Sequence, residues 1–172
     1  MKNFADLTER EVLAVAISAE EEDSRIYMTF AEDLTERYPE SAKIFEEMAE
    51  EEKGHRHMLL ELYEKRFGPN LPPIRRDDVK GFLRRRPIWL TKNLSLDTIR
   101  KEASTMEFEA ERFYVKAAEQ TQDVGVRRLL GDLAEAEKGH ENVAARLTDK
   151  ILSPDVRAEE DKTCLLYTSR CV

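Results

Sequence analysis

The chain has 172 residues, enough for one domain that buries a core without a disulfide or other staple. Its net charge of -8 and pI near 5.1 supply no basic face for a phosphate backbone, which argues against nucleic acid as a partner. Charged residues make up 37% of the chain against only six Gly and six Pro, so short strands and turns are disfavoured and an all-α fold of long amphipathic helices is expected.

Thr8, with Glu11 three residues on, has the form of a helix cap and predicts a first helix from about Thr8 to about Tyr38, where Pro39 forces a break. A second helix should start at Pro39 and run to about Arg66, closing at Phe67-Gly68-Pro69. The tight turn between them makes the pair antiparallel. Residues Phe67 to Leu94 hold four of the six prolines and predict a long crossover, about 67–94, that carries the chain from one end of a bundle to the other. A third helix is expected from about Ser95, with Thr98 three residues on, to about Thr121. After Gln122-Asp123 a fourth should reach about Leu152, before Pro154. Two separate hairpins on a linker are the alternative, but each hairpin has one apolar face that it cannot bury alone. The expected architecture is therefore an antiparallel four-helix bundle over residues 1–153, two helical hairpins joined by the crossover, with 154–163 as a linker or tail. No apolar stretch approaches the ~20 residues of a membrane span, and the N-terminus lacks the pattern of a secretory signal. The cysteines, Cys164 and Cys171, lie far from every histidine, so neither a structural disulfide nor a Cys-rich metal site is indicated and a cytoplasmic location is expected.

Core positions taken at alternating spacings of four and three give Leu13, Ile17, Glu20, Ser24, Tyr27, Ala31 and Leu34 on the first helix. The second helix gives Ser41, Phe45, Met48, Glu52, His55, Leu59 and Leu62. The third gives Ala103, Glu107, Ala110, Tyr114, Ala117 and Thr121, and the fourth Val126, Leu130, Leu133, Glu137, His140, Ala144, Leu147 and Ile151. Every seam carries a glutamate at mid-helix, and two of them carry Glu-x-x-His. The halves also align with one another: Glu20 to Tyr27 matches Glu107 to Tyr114, and Ala49-Glu50-Glu51-Glu52-Lys53-Gly54-His55 matches Ala134-Glu135-Ala136-Glu137-Lys138-Gly139-His140. At about 1.5 Å rise per residue, each of these glutamates sits roughly 20 to 27 Å from the turn of its own hairpin. The four carboxylates can therefore meet at similar depth.

A single Glu-x-x-His is more often a surface pair or a satisfied core pair. Two copies with two matched glutamates differ, because removing an ion from water costs several kcal/mol while a domain is stable by only about 5–15 kcal/mol. Two divalent cations resolve the conflict: four carboxylates balance their charge, two glutamates can bridge, and each histidine adds one nitrogen. The candidate metal ligands are thus Glu20, Glu52, His55, Glu107, Glu137 and His140, holding two iron ions or, as an alternative suited to the same mixed oxygen and nitrogen donors, manganese. A metal-free structural bundle is the remaining alternative. Without metal, several carboxylates should share protons and the bundle should loosen.

The Glu20 and Tyr27 pair, the run Met106-Glu107-Phe108-Glu109-Ala110-Glu111-Arg112-Phe113-Tyr114 and both Glu-Lys-Gly-His motifs resemble the rubrerythrin branch of the ferritin-like superfamily, over about Thr8 to Leu152. More narrowly, the chain is similar to the N-terminal ferritin-like domain of membrane-bound ferritin, in which a rubrerythrin-like domain is fused to a vacuolar-iron-transporter-type membrane domain. Arg84-Arg85-Arg86-Pro87-Ile88-Trp89-Leu90 contributes to this likeness. The resemblance implies a ferritin-like bundle, Glu20 and Glu107 as terminal ligands, Glu52 and Glu137 as bridging ligands, and one histidine on each iron. Tyr27 and Tyr114 would hold carboxylates from behind. It also implies a homodimer and, for an intact fusion, a location at the cytoplasmic face of the inner membrane with a C-terminal transporter domain absent from this chain.

Two departures bear on activity. The chain has no four-cysteine rubredoxin domain, and Ala110 stands where many rubrerythrins place a further glutamate. Peroxidase turnover is accordingly disfavoured against ferroxidase-like oxidation of Fe(II) by O₂ or H₂O₂. An iron-capture or iron-sensing module that feeds or regulates a membrane transporter is the second reading. Residues 164–172, Cys164-Leu165-Leu166-Tyr167-Thr168-Ser169-Arg170-Cys171-Val172, resemble the translation of a sequencing-library transposon end joined to its own reverse complement, so the native protein is expected to continue differently there.

Weaker signals have plainer expectations. His57 lies two residues beyond His55, on another helical face, and is expected in solvent. Gly54 and Gly139 each cost a helix about 1 kcal/mol relative to Ala, which close helix approach beside the ligand histidines would explain. The Arg84 to Arg86 cluster is expected in a solvated loop beside a buried Trp89, with a lipid surface as the alternative. Glu21, Glu22, Glu50, Glu51, Glu109, Glu111 and Glu135 should form an exposed acidic face, some of it an iron entry path.

Overall fold

The computed structural model describes the backbone of residues 1–81 and 87–146 and the side chains of those up to 140. The Thr8 hydroxyl accepts the Glu11 N–H at 3.3 Å, and the Glu11 carboxylate accepts the Thr8 N–H at 3.1 Å. This reciprocal box satisfies donors that the first helical turn cannot and launches α1 (Glu9–Leu34). Thr8→Ala should cost about 1 kcal/mol in denaturant unfolding. An unchanged midpoint would mean that the box contributes nothing to stability.

α1 ends at Leu34, a turn short of the expected Tyr38. Tyr38 precedes Pro39, whose ring excludes the helical conformation from its neighbour, and it sits at φ -143°, ψ 66°. The Thr35 hydroxyl donates to the Ala31 carbonyl at 2.8 Å, and Arg37 donates to the Asp33 carboxylate at 2.8 Å and to the Leu94 carbonyl at 3.1 Å. The connection is thereby pinned to the chain that enters the third helix. α2 (Pro39–Phe67) starts with proline, whose missing N–H costs nothing in a first turn, and stops at Gly68 with φ 77°.

The crossover is irregular, as its prolines require, but it is not bare loop. Short 3₁₀ turns occupy Arg76–Asp78 and Ile88–Leu90. β2 (Val79–Lys80) pairs in parallel with β1 (Lys2–Asn3), Lys2 opposite Val79 and Asn3 opposite Lys80. Two-residue strands have no periodicity to announce them, and the sequence reading contains neither. Trp89 is partly buried against the core. α3 (Leu96–Gln120) is capped by Ser95, whose hydroxyl accepts the Thr98 N–H at 3.2 Å, and α4 (Val124–Arg146) starts after Asp123 accepts the Val126 N–H at 2.9 Å.

α1 packs along α2 and α3 along α4, and the two hairpins close into a ferritin-like four-helix bundle. The apolar core divides into two layers. One gathers Leu13 to Ile17, Leu59, Tyr63, Phe113, Tyr114, Ala117, Val126, Leu130, Leu133 and Ala134; the other gathers Ile26, Phe30, Leu34, Phe45, Met48, Ala49, Leu96, Ile99, Ala103 and Met106. On α1, α2 and α3 the buried glutamate falls between the two layers. On α4, Glu137 and His140 follow directly on the first. The polar groups therefore form a slab at mid-height, sealed by hydrocarbon on both sides. Among the described residues no helix is long and apolar enough to cross a membrane. The expectations for the fourth helix beyond Arg146, for Arg84 to Arg86, for 154–163 and for 164–172 lie outside the described residues.

Candidate metal centre

Glu20 on α1, Glu52 and His55 on α2, Glu107 on α3, and Glu137 and His140 on α4 all lie in this slab, none more than 9% exposed. Helical spacing accounts for the convergence: Glu52 and His55, like Glu137 and His140, stand three residues apart on one face. Glu20, Glu52, His55 and Glu137 offer ligand atoms within 4.8 Å of one another, and so do Glu52, Glu107, Glu137 and His140. Glu52 and Glu137 belong to both sets. His55 presents Nδ1 inward, 3.5 Å from Glu20, 3.1 Å from Glu52 and 3.3 Å from Glu137. His140 does the same, 3.2 Å from Glu52 and 3.5 Å from Glu107. The two rings stack with centroids 5.8 Å apart.

Two tyrosines tie the hairpins together from behind. The Tyr27 hydroxyl donates to Glu107 and the Tyr114 hydroxyl to Glu20, so each tyrosine holds the carboxylate of the opposite hairpin. On the inner side, Glu20 Oε2, Glu52 Oε1, Glu107 Oε2, Glu137 Oε1 and His140 Nδ1 are buried without a hydrogen-bond partner, because the nitrogen–oxygen approaches are poorly aligned. Orphaned buried acceptors cost roughly 1–3 kcal/mol each, more when charged. Five of them converging on one point are what a pair of cations would satisfy, and hard carboxylate oxygens with imidazole nitrogens suit iron or manganese.

In the metal-free state, burial and mutual repulsion favour protons on the cluster. Burial pushes Glu20 and Glu137 well above the usual carboxylate range and raises Glu107. Burial also opposes charge on the imidazoles, yet the surrounding carboxylates overcome it. Glu137, Glu20 and Glu52 push His55 up to about 12, and Glu107 and Glu52 do the same for His140. Glu52 is also penalised by burial, but the His140 and His55 rings, whose Nδ1 atoms lie 3.2 and 3.1 Å from its oxygens, hold it well below the ordinary range. Metal entry must displace these protons. Loading should therefore release protons, counted by calorimetry in buffers of different ionisation enthalpy, and affinity should fall as pH falls. The sign for the metal-free fold is opposite. Groups whose folded pKa is raised lend stability that is full below their ordinary value and lost as pH rises, for the histidines from 6.5 towards about 12. Metal-free protein should melt progressively lower as pH is raised above neutrality. A flat profile would contradict the protonated cluster.

The larger surface grooves, such as that beside Phe4, Phe108 and Arg112, do not include the cluster. A cavity of about 10 Å³ between α1 and α3 touches Glu20 and Tyr114. That is room for a water molecule rather than an organic substrate.

Several neighbours escape sequence reasoning. Glu51, placed by periodicity on the acidic face, bonds the outer nitrogen of His140, although its side chain remains 60% exposed. Asp23 and Arg76 form a buried ion pair at 3.2 Å behind Glu20, with Arg76 supplied by the crossover. Glu109 is buried rather than exposed, 3.8 Å from Arg112. His57 lies in solvent as expected. Gly54 and Gly139 do not mark close helix approach, since a Cβ at either would meet nothing within 4 Å.

The family model for rubrerythrin matches residues 11–148 of the chain. No curated protein matches it. A hypothetical protein from Pyrococcus furiosus superimposes with a TM-score of 0.65 at 24% identity, over 95% of this chain and 94% of its own. A protein from Thermotoga maritima, provisionally assigned as ferritin-like and diiron-carboxylate, does so with a TM-score of 0.65 at 20% identity, over 85% of this chain and 97% of its own. At these identities the two structures carry the fold alone.

Proposed function

The chain belongs to the rubrerythrin family, and on that basis we propose that its buried cluster holds two iron ions and oxidises Fe(II) with O₂ or H₂O₂. The observation that carries this reading is the pair of overlapping four-residue sets sharing Glu52 and Glu137. Glu20 and His55 would hold one ion, Glu107 and His140 the other, with Glu52 and Glu137 within reach of both. Bound Fe(II) would supply one electron per ion, two ions taking O₂ to H₂O₂ or H₂O₂ to two waters with two protons from solvent, and the protein provides ligands, orientation and a protected pocket. Tyr27 and Tyr114 keep Glu107 and Glu20 oriented across the hairpins. The apolar layers exclude bulk water, and the small cavity beside Glu20 favours O₂ or H₂O₂ over an organic substrate. Ala110 leaves no additional carboxylate at that point of α3, which favours ferroxidase-like oxidation over peroxidase turnover.

An anaerobic Fe(II) titration of metal-free protein, followed by mixing with O₂ or H₂O₂, tests the proposal. Two irons per chain and rapid growth of ferric absorbance are expected. Tight uptake without fast oxidation would instead support a module that captures or senses iron, and no uptake would overturn the reading.

A further inference from the structure

The two halves of the cluster are related by the internal repeat, yet their surroundings are not the same. His140 points Nδ1 into the cluster and donates its Nε2–H to Glu51, a residue of α2 in the other hairpin. The repeat exchanges α2 with α4, so the counterpart of Glu51 is Ala136 and the counterpart of His140 is His55. Among the described residues, Nε2 of His55 has no hydrogen-bond partner. Behind the two imidazoles, the ligand sets thus differ by one carboxylate.

We infer that Glu51 is a positioning residue that makes the two metal sites inequivalent, the set containing His140 binding its cation more tightly and filling first. The inference rests on the two-metal reading above. A carboxylate behind a metal-ligating histidine fixes the ring tautomer, so that Nδ1 carries the lone pair. It also holds the ring at the angle at which that lone pair meets the cation, and raises its basicity as a ligand. Glu51 can do this without belonging to the core: its backbone is fixed next to Glu52, and its exposed side chain has only to lie across the edge of the His140 ring. Among the described residues, His55 is oriented by packing and by the inner carboxylates alone.

Co(II), which reports coordination through its visible absorption and needs no oxidant, is the probe. Calorimetric and spectroscopic titration of the metal-free wild-type chain should resolve two steps of unequal affinity. Glu51→Ala should weaken the tighter step about 10- to 100-fold, alter the visible spectrum that develops in that step, and leave the weaker step within about twofold. Glu51→Gln, which retains an acceptor without the charge, should lie between the two. Two equal steps in wild-type protein, or a Glu51→Ala variant that leaves both steps unchanged or weakens both alike, would overturn the inference while leaving the two-metal reading intact. Failure of the wild-type chain to take up Co(II) would overturn both. Melting of the metal-free Glu51→Ala protein separates positioning from folding, since an exposed side chain should shift it little.

Discussion

Glu52→Ala should reduce metal uptake from two ions per chain to at most one weakly held ion and slow Fe(II) oxidation by at least about a hundredfold. Glu52 belongs to both ligand sets, so its loss removes a donor from each ion and a bridge between them. It is also the member of the cluster that the two facing imidazoles hold ionised against the cost of burial. The alanine variant therefore loses the anion that His55 and His140 face in common, and both rings should titrate closer to their ordinary value. Glu20→Ala is the informative control. Glu20 belongs to one set only, so that variant should keep one ion near His140 and lose the other. Uptake is read by anaerobic titration with metal analysis, oxidation by stopped-flow absorbance. If Glu52→Ala bound two irons as tightly as the parent, the shared-ligand arrangement would be wrong.

The buried carboxylate and histidine cluster is legible in the sequence because a glutamate inside an apolar heptad seam has no inexpensive explanation, and because the motif occurs twice. Glu20, Glu52, Glu107 and Glu137 each interrupt such a seam, and all four are buried as the periodicity requires. The tyrosines are half legible. Tyr27 follows Glu20 by seven residues and Tyr114 follows Glu107 likewise, but each hydroxyl reaches the glutamate of the other hairpin, a pairing that only tertiary geometry can state. What local periodicity misses is whatever the crossover covers. Glu109 and Asp23 stand off the inner seam and look solvated from helical spacing. They are buried, and the Asp23 carboxylate is met by Arg76 from the chain that passes between the hairpins. The pairing of β1 with β2 belongs to the same class, since two residues per strand carry no pattern. Gly54 and Gly139 show the opposite failure: a repeated glycine suggests tight packing, yet both positions are open.

The second large effect concerns stability. Six buried polar groups burden the fold when no cation balances them, so metal-loaded protein should melt far above metal-free protein. At a thousandfold excess over Kd, each ion bound only by the native state contributes about 4 kcal/mol, and two independent ions about twice that. For a chain of this size 1 kcal/mol shifts Tm by roughly 2–4 °C, which gives a difference of tens of degrees. The complementary experiment removes the burden instead of satisfying it. Leucine at Glu20, Glu52, His55, Glu107, Glu137 and His140 together, with Tyr27→Phe and Tyr114→Phe so that no buried hydroxyl loses its acceptor, should abolish metal uptake and join the two apolar layers into one continuous core. Replacing a buried ion group by hydrocarbon of similar volume commonly stabilises by about 1–4 kcal/mol, so this variant should melt above metal-free wild-type protein. Single replacements should not show the gain. Glu107→Leu alone leaves the buried Tyr27 hydroxyl without its acceptor and takes one of the carboxylates away from His140, and should destabilise the metal-free fold. Scanning calorimetry on the three forms decides the matter. Metal-free wild-type protein as stable as the loaded form, with the six-leucine variant no better than either, would mean that the slab is a self-satisfied structural network and that no cation is needed to complete it.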